Sequence, residues 1–154
     1  MPALYAATTV AGALSESVFH DVPYRGRGKR ILAGRLAGLA LSTLIVVEPI
    51  RLALVAGLGL RRLGMRRRDL VEGGPGSYVQ TAGWALALHG CPAAPAGLLW
   101  TSRQDDTANA LVLFGGRVSG GGLLVASDPL PLDTGPGLAL VDDAATLAAI
   151  TVVR

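Results

Sequence analysis

A carboxylate set among apolar residues is the first feature of this sequence that could do chemistry. Glu16 is one of three glutamates in 154 residues, and Ala13, Leu14, Val18 and Phe19 flank it. His20 follows four residues later, so a helix would put both side chains on one face. Two uses fit that spacing. One is an exposed helical ion pair. The other is a carboxylate at a pocket edge, presented by a rigid helix behind a strand that offers Tyr5. A second patch is Trp100-Thr101-Ser102-Arg103-Gln104-Asp105-Asp106. It supplies a hydroxyl, a guanidinium and an amide in consecutive residues directly after a predicted strand. That is a place where binding residues gather, and equally a place for a plain polar turn. Positive charge forms a third feature. Arg25, Arg27, Lys29 and Arg30 sit together, as do Arg61, Arg62, Arg66, Arg67 and Arg68. Such clusters are either solvated loops or sites for phosphate groups or an acidic partner. Neither is interleaved with aromatic residues, which argues against a stacking platform for single-stranded nucleic acid.

These residues need elements to position them. Ala3 to Ala6 reads as a short strand, and Thr8 or Thr9 can cap the helix that follows. Val10, Leu14 and Val18 make one apolar face of that helix, which should end near His20 before Asp21-Val22-Pro23. Tyr24 to Arg30 is a basic, glycine-containing loop. Leu39 to Val47 reads as a buried strand, broken by Glu48-Pro49, and Arg51 to Val55 as another. Gly57 to Gly64 turns the chain, Met65 to Val71 is a short helix, and Gly73-Gly74-Pro75-Gly76 is a break. Ser77 can cap a helix carrying Val79, Ala82, Trp84 and Leu86 that ends near Gly90-Cys91-Pro92. Strands are expected at Gly97 to Trp100, Ala110 to Phe114 and Gly122 to Val125. Asp128 to Gly137 is a Pro- and Gly-rich loop, Asp142 to Ile150 a last helix, and Thr151 to Val153 extended. Helices and strands mix without a regular βαβ repeat, which predicts an α+β fold in one domain over 1–154.

Composition removes several classes of function. Hydrophobic residues make up 51% of the chain and charged residues 16%, so global disorder is excluded. The most apolar region, Ile31 to Leu60, is cut by Arg35, Glu48, Pro49 and Arg51. Its longest uncharged stretch, Leu36 to Val47, is well short of the roughly 20 residues of a spanning helix. Met1 to Val22 has no basic start and no long apolar run, so no signal peptide is expected. Cys91 is the only cysteine, which excludes an internal disulfide and a cysteine-cluster metal site. The two histidines, His20 and His89, form no metal motif, and His89 near a helix end suits a surface or capping role. There is no P-loop, no dinucleotide fingerprint around Gly57-Leu58-Gly59 and no Gly-x-Ser-x-Gly elbow.

Taken in order, the segments resemble the RES domain family, named for an Arg, a Glu and a Ser. Leu4-Tyr5-Ala6-Ala7 followed by Ala13 to Asp21 looks like its glutamate motif. Leu60-Arg61-Arg62-Leu63-Gly64 is similar to the segment after its central strands. Tyr78, Thr81 and Trp84 through His89 match a family helix. Gly97 to Asp105 and Ala110 to Phe114 match its serine motif and next strand. The resemblance covers roughly residues 3–126, leaving 127–154 as a C-terminal extension. It implies an ADP-ribosyltransferase-like fold of mixed sheets with flanking helices. It also implies a cytoplasmic toxin of a toxin–antitoxin pair with an Xre-type antitoxin partner, acting on NAD as substrate without a metal. The bond cut would be the nicotinamide N-glycosidic bond, by phosphorolysis, hydrolysis or ADP-ribosyl transfer. Carried over by position, Glu16 is the catalytic glutamate, Ser102 the family serine and Tyr5 the pocket tyrosine. The family arginine lies upstream of the tyrosine motif, whereas this sequence begins two residues before it. The resemblance therefore implies an N-terminally truncated domain in which Arg25, Arg27 or Arg103 stands in at the NAD phosphates. The alternative is an inactive RES remnant that keeps a surface for an antitoxin or another protein. Direct nucleic-acid binding and membrane insertion are not expected, and homo-oligomerisation is left open.

Overall fold

A computed structural model describes residues 2–26, 28–70 and 78–154. Its main sheet has four strands in the order β1 (Ala3–Ala7), β7 (Asn109–Phe114), β6 (Gly97–Thr101), β5 (Leu52–Leu54). The β1–β7 and β7–β6 pairs are antiparallel and the β6–β5 pair is parallel. Helices lie between the parallel partners, as a parallel connection requires: α2 (Gly57–Arg62), α3 (Arg67–Leu70) and α4 (Tyr78–Gly90). Strands and helices thus form a mixed α+β fold, as the sequence predicts. Gly97 must be glycine where β6 meets β7, because a Cβ there would lie 2.1 Å from the Val112 carbonyl oxygen.

The helix that carries Glu16 is α1 (Val10–Ser17), capped as expected by Thr9, whose Oγ1 accepts the Gly12 N–H at 2.9 Å. It packs in two directions. Leu14 is buried in a cluster with Phe19, Ile31, Leu36, Leu132, Val141, Ala144 and Ala145. Val141, Ala144 and Ala145 come from α5 (Gly135–Leu147). On its other side Gly12 meets Ala108, and a Cβ on Gly12 would stand 2.5 Å from the Ala108 Cβ. That missing methyl lets α1 settle against the loop between β6 and β7.

Three strand pairs complete the fold. β10 (Thr151–Val153) runs parallel to β2 (Arg30–Leu32). β3 (Ala40–Leu41) pairs with β9 (Leu130–Pro131), and β4 (Leu44–Val46) with β8 (Leu123–Val125), both antiparallel. Lys29 joins two of these parts. Its Nζ donates to the Ala148 carbonyl at the end of α5 at 2.7 Å, a cation on a helix C-terminus, and its own carbonyl accepts from Thr151 N.

Several expectations change. The single buried strand Leu39–Val47 is two short strands with different partners, separated at Ser42 and Thr43, and Ile45, Val46 and Val47 are exposed. Ile45 and Val46 lie on β4, which pairs with β8 in a two-stranded ribbon, and Val47 directly follows it. Gly57–Gly64 is mostly helix rather than turn, since burying Leu60 outweighs the poor helix propensity of glycine. The last helix starts at Gly135, seven residues before Asp142, with Thr134 at the cap and Pro136 in its first turn. In the second basic cluster Arg61 and Arg62 lie on α2 and Arg67 and Arg68 on α3, with Arg66 between the two helices, so most of it is helical rather than a solvated loop. The expected cap at Ser77 and the break at 73–76 lie outside the described residues. Among the described residues, no helix is long and apolar enough to cross a membrane.

Candidate active site

The site forms where α1 meets the loop after β6. Ser102 is wholly buried, 0% exposed, and its hydroxyl donates to Glu16 Oε1 at 2.5 Å. The Arg103 backbone N–H donates to the same oxygen at 2.9 Å. Two segments 86 residues apart in sequence are joined by this pair of bonds. Both fall on Oε1, and Glu16 Oε2 takes no hydrogen bond among the described residues. The expected helical pair of Glu16 with His20 is not made, because α1 ends at Ser17. His20 instead offers its carbonyl to Gln104 Nε2 at 3.2 Å.

The loop is stiffened from within. Ser102 Oγ accepts the N–H groups of Gln104 (3.1 Å) and Asp105 (3.0 Å). With one proton donated and two lone pairs filled, the capacity of this hydroxyl is used up inside the protein. Ser102 N donates to the Ala108 carbonyl at 2.9 Å, and Asp105 Oδ1 accepts from both the N–H and the hydroxyl of Thr107. A buried polar cluster satisfied in this way holds one geometry.

Arg67 grips the same loop from α3. Its Nη2 donates to the Ser102 carbonyl at 2.7 Å and to Asp106 Oδ1 at 3.0 Å. Asp69 sets the turn that presents Arg67: its Oδ2 accepts the Arg66 backbone N–H at 2.9 Å, the return half of a capping box. That bond, with the guanidinium charges of Arg66 and Arg68, holds the Asp69 carboxyl below the usual carboxylate range despite an opposing contribution from burial.

Two open clefts adjoin the loop and share Arg67. One, of about 490 Å³, is lined by Tyr24, Arg67, Arg103 and Asp106. The other, of about 500 Å³, has an apolar floor that includes Val55, Leu60 and Met65, with Thr101, Arg61 and Arg67 around it. The Tyr24 hydroxyl donates to the Arg103 carbonyl at 3.2 Å, so the polar cleft is built on the residue whose N–H holds Glu16.

Of the residues singled out in the sequence, Glu16, Ser102 and Arg103 come together. Tyr5 stands on the edge strand, 76% exposed, and lines neither cleft. Strand alternation puts it on the same sheet face as Ala7, which meets Gly12 of α1. Arg25 is exposed on the loop before β2, next to Tyr24, and is not among the lining residues of either cleft, and Arg27 lies outside the described residues. The sequence does not single out Tyr24, and it offers Asp106 and Arg67 only as members of the Trp100–Asp106 patch and of the second basic cluster. Arg67 is indistinguishable by type from Arg66 and Arg68, and only the geometry of α3 selects it. No group of His, Cys, Asp and Glu suited to a metal ion occurs among the described residues.

The family model of the RES domain matches residues 1–134. No curated protein matches the chain, and no solved structure does.

Proposed function

The chain belongs to the RES domain family, and from that premise we propose that it is an NAD-consuming enzyme cleaving the nicotinamide N-glycosidic bond. At the level of the family this is a toxin–antitoxin-type, NAD-related function. The finer reading is a toxin that works in the cytoplasm and is held in check by an Xre-type antitoxin.

The Glu16 junction carries this reading. Cleaving an N-glycosidic bond develops positive charge on the ribose, as in glycoside hydrolysis, and a fixed carboxylate lowers the energy of that charge. Glu16 has one oxygen locked by Ser102 and Arg103 and the other uncommitted, able to accept from a ribose hydroxyl. Its negative charge is held before the reaction rather than organised during it. Ser102 acts through Glu16: its saturated, buried hydroxyl positions the carboxylate. Tyr5, exposed on the sheet face nearest α1, offers a ring for the nicotinamide. The two guanidiniums that line the polar cleft suit the phosphates of a dinucleotide.

The test is nicotinamide release from NAD by the purified chain, followed by chromatography, beside Glu16→Ala. Loss of one preorganised electrostatic group predicts a fall of about 10²–10³. Equal turnover by the two proteins removes Glu16 as catalyst and the reading with it.

A further inference from the structure

The polar cleft has a feature that Glu16 chemistry does not use. Arg67 and Arg103 wall it, Tyr24 stands at its rim, and Asp106 lines it as well. Asp106 is paired with Arg67 through an Nη2–Oδ1 bond of 3.0 Å, yet its side chain is 82% exposed against 35% for Arg67. An ion pair so open to water is weak. The arginine is the better fixed partner, because the same nitrogen also donates to the Ser102 carbonyl. The carboxylate is the displaceable one.

We propose that this cleft is a phosphate-binding subsite centred on Arg67, in which the Asp106 carboxylate occupies the anion position until a phosphate displaces it. A phosphate offers more acceptor oxygens and more charge than a carboxylate, and a guanidinium matches it in a two-pronged geometry. Arg103 adds a second cation on the same wall. The phosphate is either part of a nucleotide diphosphate or free inorganic phosphate. The first source rests on the NAD reading above; the subsite itself does not.

The exchange makes two opposite predictions. Removing the competitor tightens binding, and removing the anchor loosens it. The full chain is titrated by calorimetry, at fixed ionic strength, with ADP, inorganic phosphate and adenosine. Asp106→Asn is expected to bind ADP, or phosphate, about two- to fivefold more tightly, the range given by an exposed ion pair. Arg67→Lys is expected to bind at least about tenfold more weakly, the loss of one charge-assisted bond. Asp143→Asn, a charge removed on α5, controls for net charge and should leave affinity unchanged. Tightening with ADP alone assigns the subsite to a nucleotide diphosphate; tightening with inorganic phosphate assigns it to free phosphate. Adenosine binding as tightly as ADP overturns the proposal. So does an Asp106→Asn affinity that is unchanged or weaker for both anions, and this exposed substitution does not depend on how well Arg67→Lys folds. Should the chain fail to consume NAD while Asp106→Asn still tightens phosphate, the NAD reading falls and the subsite stands.

Discussion

Of the side-chain junctions that tie distant parts of this molecule together, two differ in what they leave unspent. At the far end of α4, each of the three Arg117 nitrogens donates inward. Nε reaches His89 Nε2 at 3.2 Å, Nη2 the His89 carbonyl at 2.7 Å and Nη1 the Pro95 carbonyl at 3.5 Å. The His89 ring meets Phe114 edge-on, with centroids 5.1 Å apart. The cation also faces the negative end of the helix. This junction consumes its groups in fastening α4 to the sheet. At the Glu16 junction one carboxylate oxygen is consumed and one is left, and the loop that α1 holds there walls an open cleft through Arg103 and Asp106. Partial burial and hydrogen bonding are common to both. The unspent oxygen distinguishes the candidate site from the fastener.

Substitutions can break that contrast or sharpen it. After Glu16→Ala, the largest effect is expected from Gly12→Val, which forces α1 away from Ala108. A misplacement of about 1 Å at a reacting group can cost about 10² in rate, so NAD turnover should drop about that far. A folded Gly12→Val protein with normal turnover would separate the carboxylate's position from its role. Next comes Ser102→Ala, which removes the hydroxyl that fixes Oε1. Turnover should fall about 10- to 100-fold, the worth of a bond to a charged group. The fall should appear in kcat more than in KM, and Ser102→Thr should recover part of it. A change confined to KM would instead mean that the hydroxyl meets the substrate.

Arg117→Met tests the other junction. Thermal or urea unfolding should show a loss of about 1–3 kcal/mol, from polar groups left without their partner. The KM for NAD should stay unchanged. A kcat that fell as far as in Ser102→Ala would erase the distinction between the two junctions. The smallest effect is expected at Asp69, the exposed cap of α3. Its carboxyl is held low, so its contribution to stability is present above the ordinary carboxylate pKa and fades as pH falls through the lowered value. Wild type should therefore be slightly more stable than Asp69→Asn near neutrality, and the two should converge well below about pH 4. A gap that persisted in acid would show that Asp69 does not act through its charge.

Much of this arrangement is legible in the sequence where a local rule applies. Thr9 announces α1 because a capping side chain acts within three residues. β6 and β7 show as short apolar runs. What stays hidden depends on partners far along the chain. Leu39–Val47 divides because β3 and β4 pair with different strands, and periodicity does not record partners. The start of α5 at Gly135 is hidden because Pro136 and Gly137 look like loop residues. Yet a proline suits a first turn, and Gly137 fits because a Cβ there would lie 1.9 Å from the Pro131 carbonyl oxygen. In the site, Glu16 and Ser102 stand out by type and by family resemblance. Arg67 does not, since its selection among neighbouring arginines is made by Asp69 and by a loop 35 residues away.

The packing of α1 on α5 also sets a schedule. Glu16 is translated early, but the helix beneath it, residues 135–147, leaves the ribosome only after more than a hundred further residues. At synthesis rates of about 5–20 residues per second, that interval is on the order of ten seconds. Until it ends, Leu14 has no Val141 to pack against, and the carboxylate is tethered to a helix without its foundation. The nascent chain therefore carries Glu16 long before it can hold that carboxylate in place.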